Sequence, residues 1–147
     1  MSGSSNAGMW WWISGYGRAD GFLQLDGLYP EINKAVSLFT RKVDFSKLSI
    51  VEMTASPGIE ALGIGSSAFM MGYARDSACL FPDWKSVTVS GQTITLAAPW
   101  NGSAWVVLYK PEGLGVIQES RVDFVNGSAT LNVPSFQEDI AFKIYKP

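Results

Sequence analysis

The sequence predicts a mainly β chain, an antiparallel β-sandwich preceded by one strand and one helix. Three observations support this fold class. Apolar residues recur at a helical spacing of about 3.6 up to Val43 and at a strand spacing of about 2 from Lys47 onward. Turn residues separate the later apolar runs at the regular intervals typical of sandwiches. Of the 147 residues, 47% are hydrophobic, which is enough for a sizeable core.

The first segment, residues 1–46, is predicted to contain a strand, a loop and a helix. A Ser/Gly-rich stretch leads into the apolar run Met9–Ile13, which is typical of a buried strand. The glycine-rich stretch Ser14–Gly27 reads as a long loop. Asp26 suits a helix cap, and the positions that follow predict a helix over Tyr29–Lys42. Its apolar stripe consists of Ile32, Ala35, Val36, Phe39 and Val43.

The second segment, residues 47–147, is predicted to form the β-sandwich domain. Asn126-Gly127 and Ser90-Gly91 are hairpin signals, because asparagine and glycine tolerate positive φ. The predicted strands are Leu48–Met53, Ile59–Ile64, Ala68–Asp76, Ser86–Ser90, Thr93–Leu96, Trp105–Lys110, Ser120–Val125, Ser128–Val133 and Ile140–Tyr145.

The composition excludes several classes of function. Eleven basic and thirteen acidic residues give a net charge of −2, and there is no basic run of the kind that nucleic-acid binding requires. The chain has no histidine and one cysteine, Cys79. Zinc sites, Ser-His-Asp triads and Cys-His pairs need more than that, so we expect no metal site and no cofactor. No apolar stretch reaches the length of about 18 residues that a membrane span needs.

The remaining polar motifs predict no catalytic residue. Glycoside hydrolysis needs two carboxyl groups about 5–10 Å apart, whereas Glu138 and Asp139 are neighbours that a strand directs to opposite faces. Asp20 and Asp26 lie in the predicted loop. The glycine-rich stretch Gly63–Ser67 is predicted to be a turn, because no helix follows it to make a phosphate loop.

Tryptophans provide the strongest functional signal. Trp10, Trp11 and Trp12 are consecutive, and strand alternation directs Trp10 and Trp12 to one face and Trp11 to the other. A flat indole ring stacks well on the apolar C–H face of a pyranose. We therefore predict that these three residues bind substrate, a polysaccharide or oligosaccharide. Further surface contacts with sugar are possible at Trp84, Trp100 and Tyr73.

Several short motifs resemble the end of a (β/α)8-barrel glycoside hydrolase of the cellulase-like clan and the β-sandwich domain that follows such barrels. A small-residue strand ending in tryptophans, and then a helix, is similar to the last β/α unit of the barrel. The segments that carry this part are Ser2–Trp12, Gly27-Leu28-Tyr29 and Leu38-Phe39. Those that resemble the sandwich domain are Ala61-Leu62-Gly63, Ala68–Asp76, Trp105–Tyr109 and Ala129–Ala141.

The resemblance implies a C-terminal portion of a glycoside hydrolase. In such barrels an aromatic residue after the eighth strand forms the floor of the subsite for the reacting sugar, and Trp12 or Trp10 matches that position. The acid/base and nucleophile glutamates belong to the fourth and seventh strands, which this sequence lacks. The resemblance therefore implies that the partner of this chain is the missing N-terminal barrel, that the chain alone is inactive and that the parent is secreted or extracytoplasmic.

Two alternatives remain open at this point. The sandwich could be a non-catalytic carbohydrate-binding module, with Trp84, Trp100 or Tyr73 as its platform, or a structural surface domain. If the barrel is missing, an apolar patch at Trp10–Trp12 and Ile32–Phe39 would be exposed, or would pack on the sandwich.

Overall fold

The computed structural model describes residues 38–78, 87–110 and 115–146. The predicted strand Met9–Ile13, the loop Ser14–Gly27 and most of the predicted helix lie outside those residues, although residues 38–40 are helical. The chain divides into two compact units, one of Met1–Val43 with Glu112–Leu114 and the other of Asp44–Pro111 with Gly115–Pro147. The predicted boundary after residue 46 stays a prediction.

The larger unit is mainly β and antiparallel, which confirms the predicted β-sandwich. It begins with a short 3-10 helix, Phe45–Lys47, and the carboxylate of Asp44 caps that helix by accepting from the backbone N–H of Ser46. The strands are β1 (Ser49–Val51), β2 (Met53–Ala55), β3 (Ile59–Gly65), β4 (Phe69–Asp76), β5 (Thr88–Val89), β6 (Gln92–Ala97), β7 (Gly102–Lys110), β8 (Gly115–Phe124), β9 (Ser128–Val133), β10 (Phe136–Gln137) and β11 (Asp139–Tyr145).

The described strands form one large and two small sheets. The large sheet has six strands in the order β1-β3-β4-β11-β7-β8, and a three-stranded sheet has the order β2-β6-β9. β5 and β10 pair with each other. The strand β11 lies between β4 and β7, although it follows both of them in the chain.

Alternating apolar residues build the core between the two larger sheets. In β9 every second residue is buried and its neighbours are exposed, which is the pattern of a strand with one solvated side. The buried core cluster contains Ile59, Met70, Ala74, Val89, Ile94, Leu96, Trp100, Ala104, Val106, Leu108, Val122, Phe124, Ala129, Leu131, Val133, Phe136, Ile140, Phe142 and Ile144.

The Phe142 ring fills the space above Gly72 in the large sheet. Phe142 is opposite Gly72 in the register of β11 and β4, and Gly72 is opposite Gly63 in β3. An ideal Cβ at Gly72 would lie 2.6 Å from Phe142 Cζ and 2.5 Å from the carbonyl oxygen of Leu62. The absence of a side chain is therefore a packing requirement at this position. The prediction of a turn at Gly63–Ser67 is wrong for its two glycines, which belong to β3, and the turn follows them.

One predicted strand and one predicted hairpin turn differ from the structure for an identifiable reason. The predicted strand Leu48–Met53 is broken at Glu52, because β1 joins the large sheet while β2 joins the three-stranded one. Ser90-Gly91 is not a hairpin turn, since β5 pairs with β10 and not with β6. At Asn126-Gly127 the predicted turn is present, with φ values of 51° and 79°. The strands it joins meet there in one bridge, Val125 to Ser128, and then enter different sheets.

Candidate functional site

The outward face of the six-stranded sheet, here called the outer face, is apolar and aromatic. Along β11 the residues Ile140, Phe142 and Ile144 belong to the core cluster. Strand alternation directs the residues between them, Ala141 and Lys143, to the opposite side of the sheet. An antiparallel sheet with one solvated face normally carries polar residues at such positions. Here the corresponding residues of the neighbouring strands include Met71, Tyr73, Trp105, Val107 and Tyr109.

The centre of the outer face is buried. Met71, Lys143 and Val107 are directly opposite one another on β4, β11 and β7. All three are buried, and Lys143 is only 8% exposed. Residues 140–144 of β11 are consequently buried without interruption. The central strand of the sheet is therefore covered on both faces, which is the pattern of a strand inside a layered assembly.

One end of the outer face carries an aromatic row made of Phe69, Tyr145 and Trp105. Phe69 is opposite Tyr145 and Tyr145 is opposite Trp105, so the row crosses three adjacent strands. Trp105 is in turn opposite Arg121 on a fourth strand. The rings of Phe69 and Tyr145 are 5.3 Å apart between centroids and tilted by 47°. The guanidinium of Arg121 is 6.0 Å from the centre of the Trp105 ring, within the range of a cation–π contact.

Two tyrosines on the outer face share a hydrogen bond that orders their hydroxyl groups. Burial raises the pKa of Tyr109 from 10.0 to about 12, with further contributions from the charge of Tyr145 and from the bond between the two side chains. Burial also raises the pKa of Tyr145, while its bond with Tyr109 acts in the opposite direction. Burial lowers the pKa of Lys143, whose Nζ is 6.0 Å from the centre of the Tyr109 ring.

We expect the phenol of Tyr109 to titrate near pH 12 in the folded chain. Between pH 10 and pH 12 the unfolded chain has released this proton and the folded chain has kept it, so the free energy of unfolding should fall as the pH rises through this window. The measurement is phenolate absorbance at 295 nm for the natural chain and Tyr109→Phe, with circular dichroism as a check that both stay folded. The titration curve of Tyr109 is the absorbance of the natural chain minus that of Tyr109→Phe at each pH. A midpoint of this curve at pH 10 would contradict the burial of the Tyr109 hydroxyl.

The structure places the predicted sugar-binding residues unevenly. Trp10, Trp11, Trp12 and Trp84 lie outside the described residues, and their roles stay predictions. Trp100 is 1% exposed and packs edge-on against Phe124, with 5.1 Å between ring centroids. The prediction of a surface sugar contact at Trp100 is therefore wrong, because the connection between β6 and β7 turns this ring into the core.

Tyr73 lies half-buried on the outer face. It is opposite Leu62 on β3 and Ala141 on β11. It is two residues from Met71 and four residues from Phe69 along β4, so it is not part of the aromatic row. A sugar contact at Tyr73 stays a prediction.

Three of the described carboxylates take structural roles. Glu60 receives two hydrogen bonds from the guanidinium of Arg75, at 2.9 and 2.6 Å, across β3 and β4. Asp44 caps the 3-10 helix and bonds to Lys47 at 3.1 Å. Asp76 is buried, and its Oδ1 accepts from the backbone N–H of Ala78 at 2.8 Å. Among the described residues no group of three potential ligands is placed to hold a metal ion, and no helix is long and apolar enough to cross a membrane.

Among known proteins, solved structures alone give matches. No protein-family model matches the chain, and no curated protein matches it. The fold is similar to part of the α-L-fucosidase isoenzyme 2 from Paenibacillus thiaminolyticus, at a TM-score of 0.45 and 8% sequence identity. The match covers 76% of this chain and 17% of the fucosidase chain. These comparisons show no family. A likeness of this size carries no argument about function.

Sequence reasoning missed the aromatic row, although one signal for it was present. In Trp105-Val106-Val107-Leu108-Tyr109, residues of both parities are apolar or aromatic, so both faces of β7 were bound to be apolar. The sequence of one strand shows that both of its faces are apolar. It does not show the alignment of Trp105 with Tyr145 and Phe69, because that alignment depends on strand order. Trp105 is 36 positions from Phe69 and 40 positions from Tyr145 in the chain.

Proposed function

We propose that this chain is the C-terminal portion of a glycoside hydrolase, in which the β-sandwich is an accessory domain that supports a catalytic barrel. The observation that carries this proposal is the exposed apolar part of the outer face at β1 and β3, where Ile50 is 64% exposed and Leu62 is 60% exposed. An antiparallel sheet with one solvated face normally carries polar residues at such positions. An accessory domain that packs on a larger catalytic domain needs such an apolar outward face.

The chemistry expected of the parent is hydrolysis of an O-glycosyl bond in a polysaccharide or oligosaccharide. The resemblance to the last β/α unit of barrel hydrolases supports this substrate class, and Trp10 and Trp12 match the aromatic floor of the reacting subsite. The catalytic carboxylates would come from earlier barrel strands, so the chain alone has no hydrolytic activity. An oxocarbenium-like transition state needs both of those groups on either side of the scissile bond. The parent would act outside the cytoplasm, as its polymeric substrates require.

The test begins with the DNA upstream of the codon for Met1. The proposal requires an open frame, in register, that encodes seven further β/α units with two strand-end glutamates. The protein translated from that frame should release reducing sugar from a soluble polysaccharide, and the present chain should release none. An in-frame stop immediately upstream would overturn the proposal and leave the binding-module alternative.

A matched pair of tryptophan variants then tests the floor of the subsite in the full-length enzyme. Trp12→Ala should lower kcat/KM by about tenfold or more, because one aromatic stacking surface is lost at the reacting sugar. Trp11→Ala is the comparison, since strand alternation directs it to the other face, and it should lose less than Trp12→Ala if the floor is on the face of Trp12. Equal losses in both variants would contradict the assignment of the floor to one face.

A further inference from the structure

The aromatic row stays open to solvent while the centre of the same face is buried. Trp105 is 40% exposed and Tyr145 is 39% exposed, whereas Val107, two residues along β7 from Trp105, is buried. Single exposed aromatic residues are common on protein surfaces, but a contiguous exposed patch of them marks a binding surface. The row therefore differs from its surroundings in a way that packing within the described residues does not explain.

Polar side chains of both signs flank the row. Glu119, Arg121 and Asp123 alternate along β8, opposite Val107, Trp105 and Ser103 of β7. All three are exposed. Within the described ranges none of the three takes part in an ion pair, and Arg121 makes the cation–π contact with Trp105. These charged groups therefore lie beside the row and are open to solvent.

The hydroxyl of Tyr145 adds a further polar group to the row. A phenol hydroxyl can both donate and accept hydrogen bonds, so that of Tyr145 can bind a ligand while it is bonded to Tyr109. Tyr145 and Arg121 are on either side of Trp105, two strand spacings apart, or about 10 Å. Their polar ends can therefore reach both edges of a ring that lies over Trp105.

We propose that Trp105, Tyr145 and Phe69, with Arg121 and Asp123, bind a neutral oligosaccharide. The aromatic rings match the apolar C–H faces of pyranoses, and the flanking groups both donate and accept hydrogen bonds, as sugar hydroxyls require. One cation between two anions leaves a small net negative charge, which disfavours an acidic ligand. From Phe69 to Arg121 the row spans about 14 Å, the length of a short oligosaccharide. This binding does not depend on the catalytic barrel.

The experiment is native affinity electrophoresis of the chain as it stands. The gels contain glucomannan, arabinoxylan or hydroxyethylcellulose as neutral probes and polygalacturonate as the acidic one. We expect retardation by at least one neutral polysaccharide and none by polygalacturonate. Trp105→Ala should weaken the retardation about tenfold, and Asp123→Asn about threefold to tenfold. Trp105→Phe, which keeps an aromatic ring, should bind more strongly than Trp105→Ala.

Ile117→Ala is the matched control. It truncates an exposed apolar residue of β8, the strand that carries Asp123, and Ile117 lies outside the row. It should bind like the natural chain. Circular dichroism establishes that each variant is folded, and if Trp105→Ala is not, Trp105→Phe and Asp123→Asn decide the question. Absence of retardation in every neutral gel, retardation by polygalacturonate alone, or binding that survives both substitutions would overturn the proposal. None of these results bears on the upstream reading frame, so the two proposals can fail separately.

Discussion

Replacing Phe142 with alanine is expected to lower the free energy of unfolding by about 3–5 kcal/mol. The ring is completely buried and belongs to the core cluster. It fills the space above Gly72, which has no side chain that could close the cavity left behind. The loss should therefore approach the upper end of the range for such truncations. Urea unfolding followed by circular dichroism measures it.

Leu62→Ala is the control for Phe142→Ala, because Leu62 is an apolar residue of the same sheet that is 60% exposed. Its truncation should change the free energy of unfolding by no more than about 0.5 kcal/mol. A Phe142→Ala variant as stable as Leu62→Ala would show that the ring does not fill the sheet interior as described.

Placing a methyl group at Gly72 is expected to cost about 3 kcal/mol, the upper end of the usual range for overpacking. The new Cβ would lie 2.5 Å from the carbonyl oxygen of Leu62 and 2.6 Å from Phe142 Cζ. The first of these contacts is with backbone, so β3 and β4 would have to move apart where they pair. The midpoint of urea unfolding should fall accordingly.

Gly115→Ala is the matched control for Gly72→Ala. Gly115 is also a strand residue, and a Cβ there would meet nothing within 4 Å. The double variant Gly72→Ala/Phe142→Ala adds a second check. Removal of the ring relieves one of the two close contacts, so the double variant should lose about 1 kcal/mol less than the sum of the two single losses. Strict additivity would mean that the ring and the glycine do not touch.

The sequence predicted those strands that have one solvent-exposed face and one buried face. β9 was predicted with its observed bounds, because exposed and buried residues alternate along its whole length. The prediction failed where tertiary structure overrides periodicity. No local signal marks Glu52 as the point at which the chain changes sheets. Likewise, nothing in the residues around Trp100 distinguishes an indole on the surface from one turned into the core.

The candidate site was less predictable than the fold, because it depends on long-range pairing. The individual aromatic residues are visible in the sequence, but Trp105, Tyr145 and Phe69 form a row only through the order β4-β11-β7. The charged residues of β8 lie beside the aromatic row because Arg121 is opposite Trp105, and this pairing is not visible in the sequence. Periodicity in the sequence predicts the face of the sheet on which a residue lies. It does not predict which strands are adjacent, or which residues are therefore opposite one another.

The central position of β11 also sets the order of events during translation. β4 and β7 both leave the ribosome before the strand that separates them, so until β11 emerges each exposes an unpaired edge with apolar side chains. Nascent chains that stop before Asp139 cannot complete the sheet and should be cleared by proteases or aggregate. Completion of the six-stranded sheet therefore depends on the last of the described strands to be synthesised.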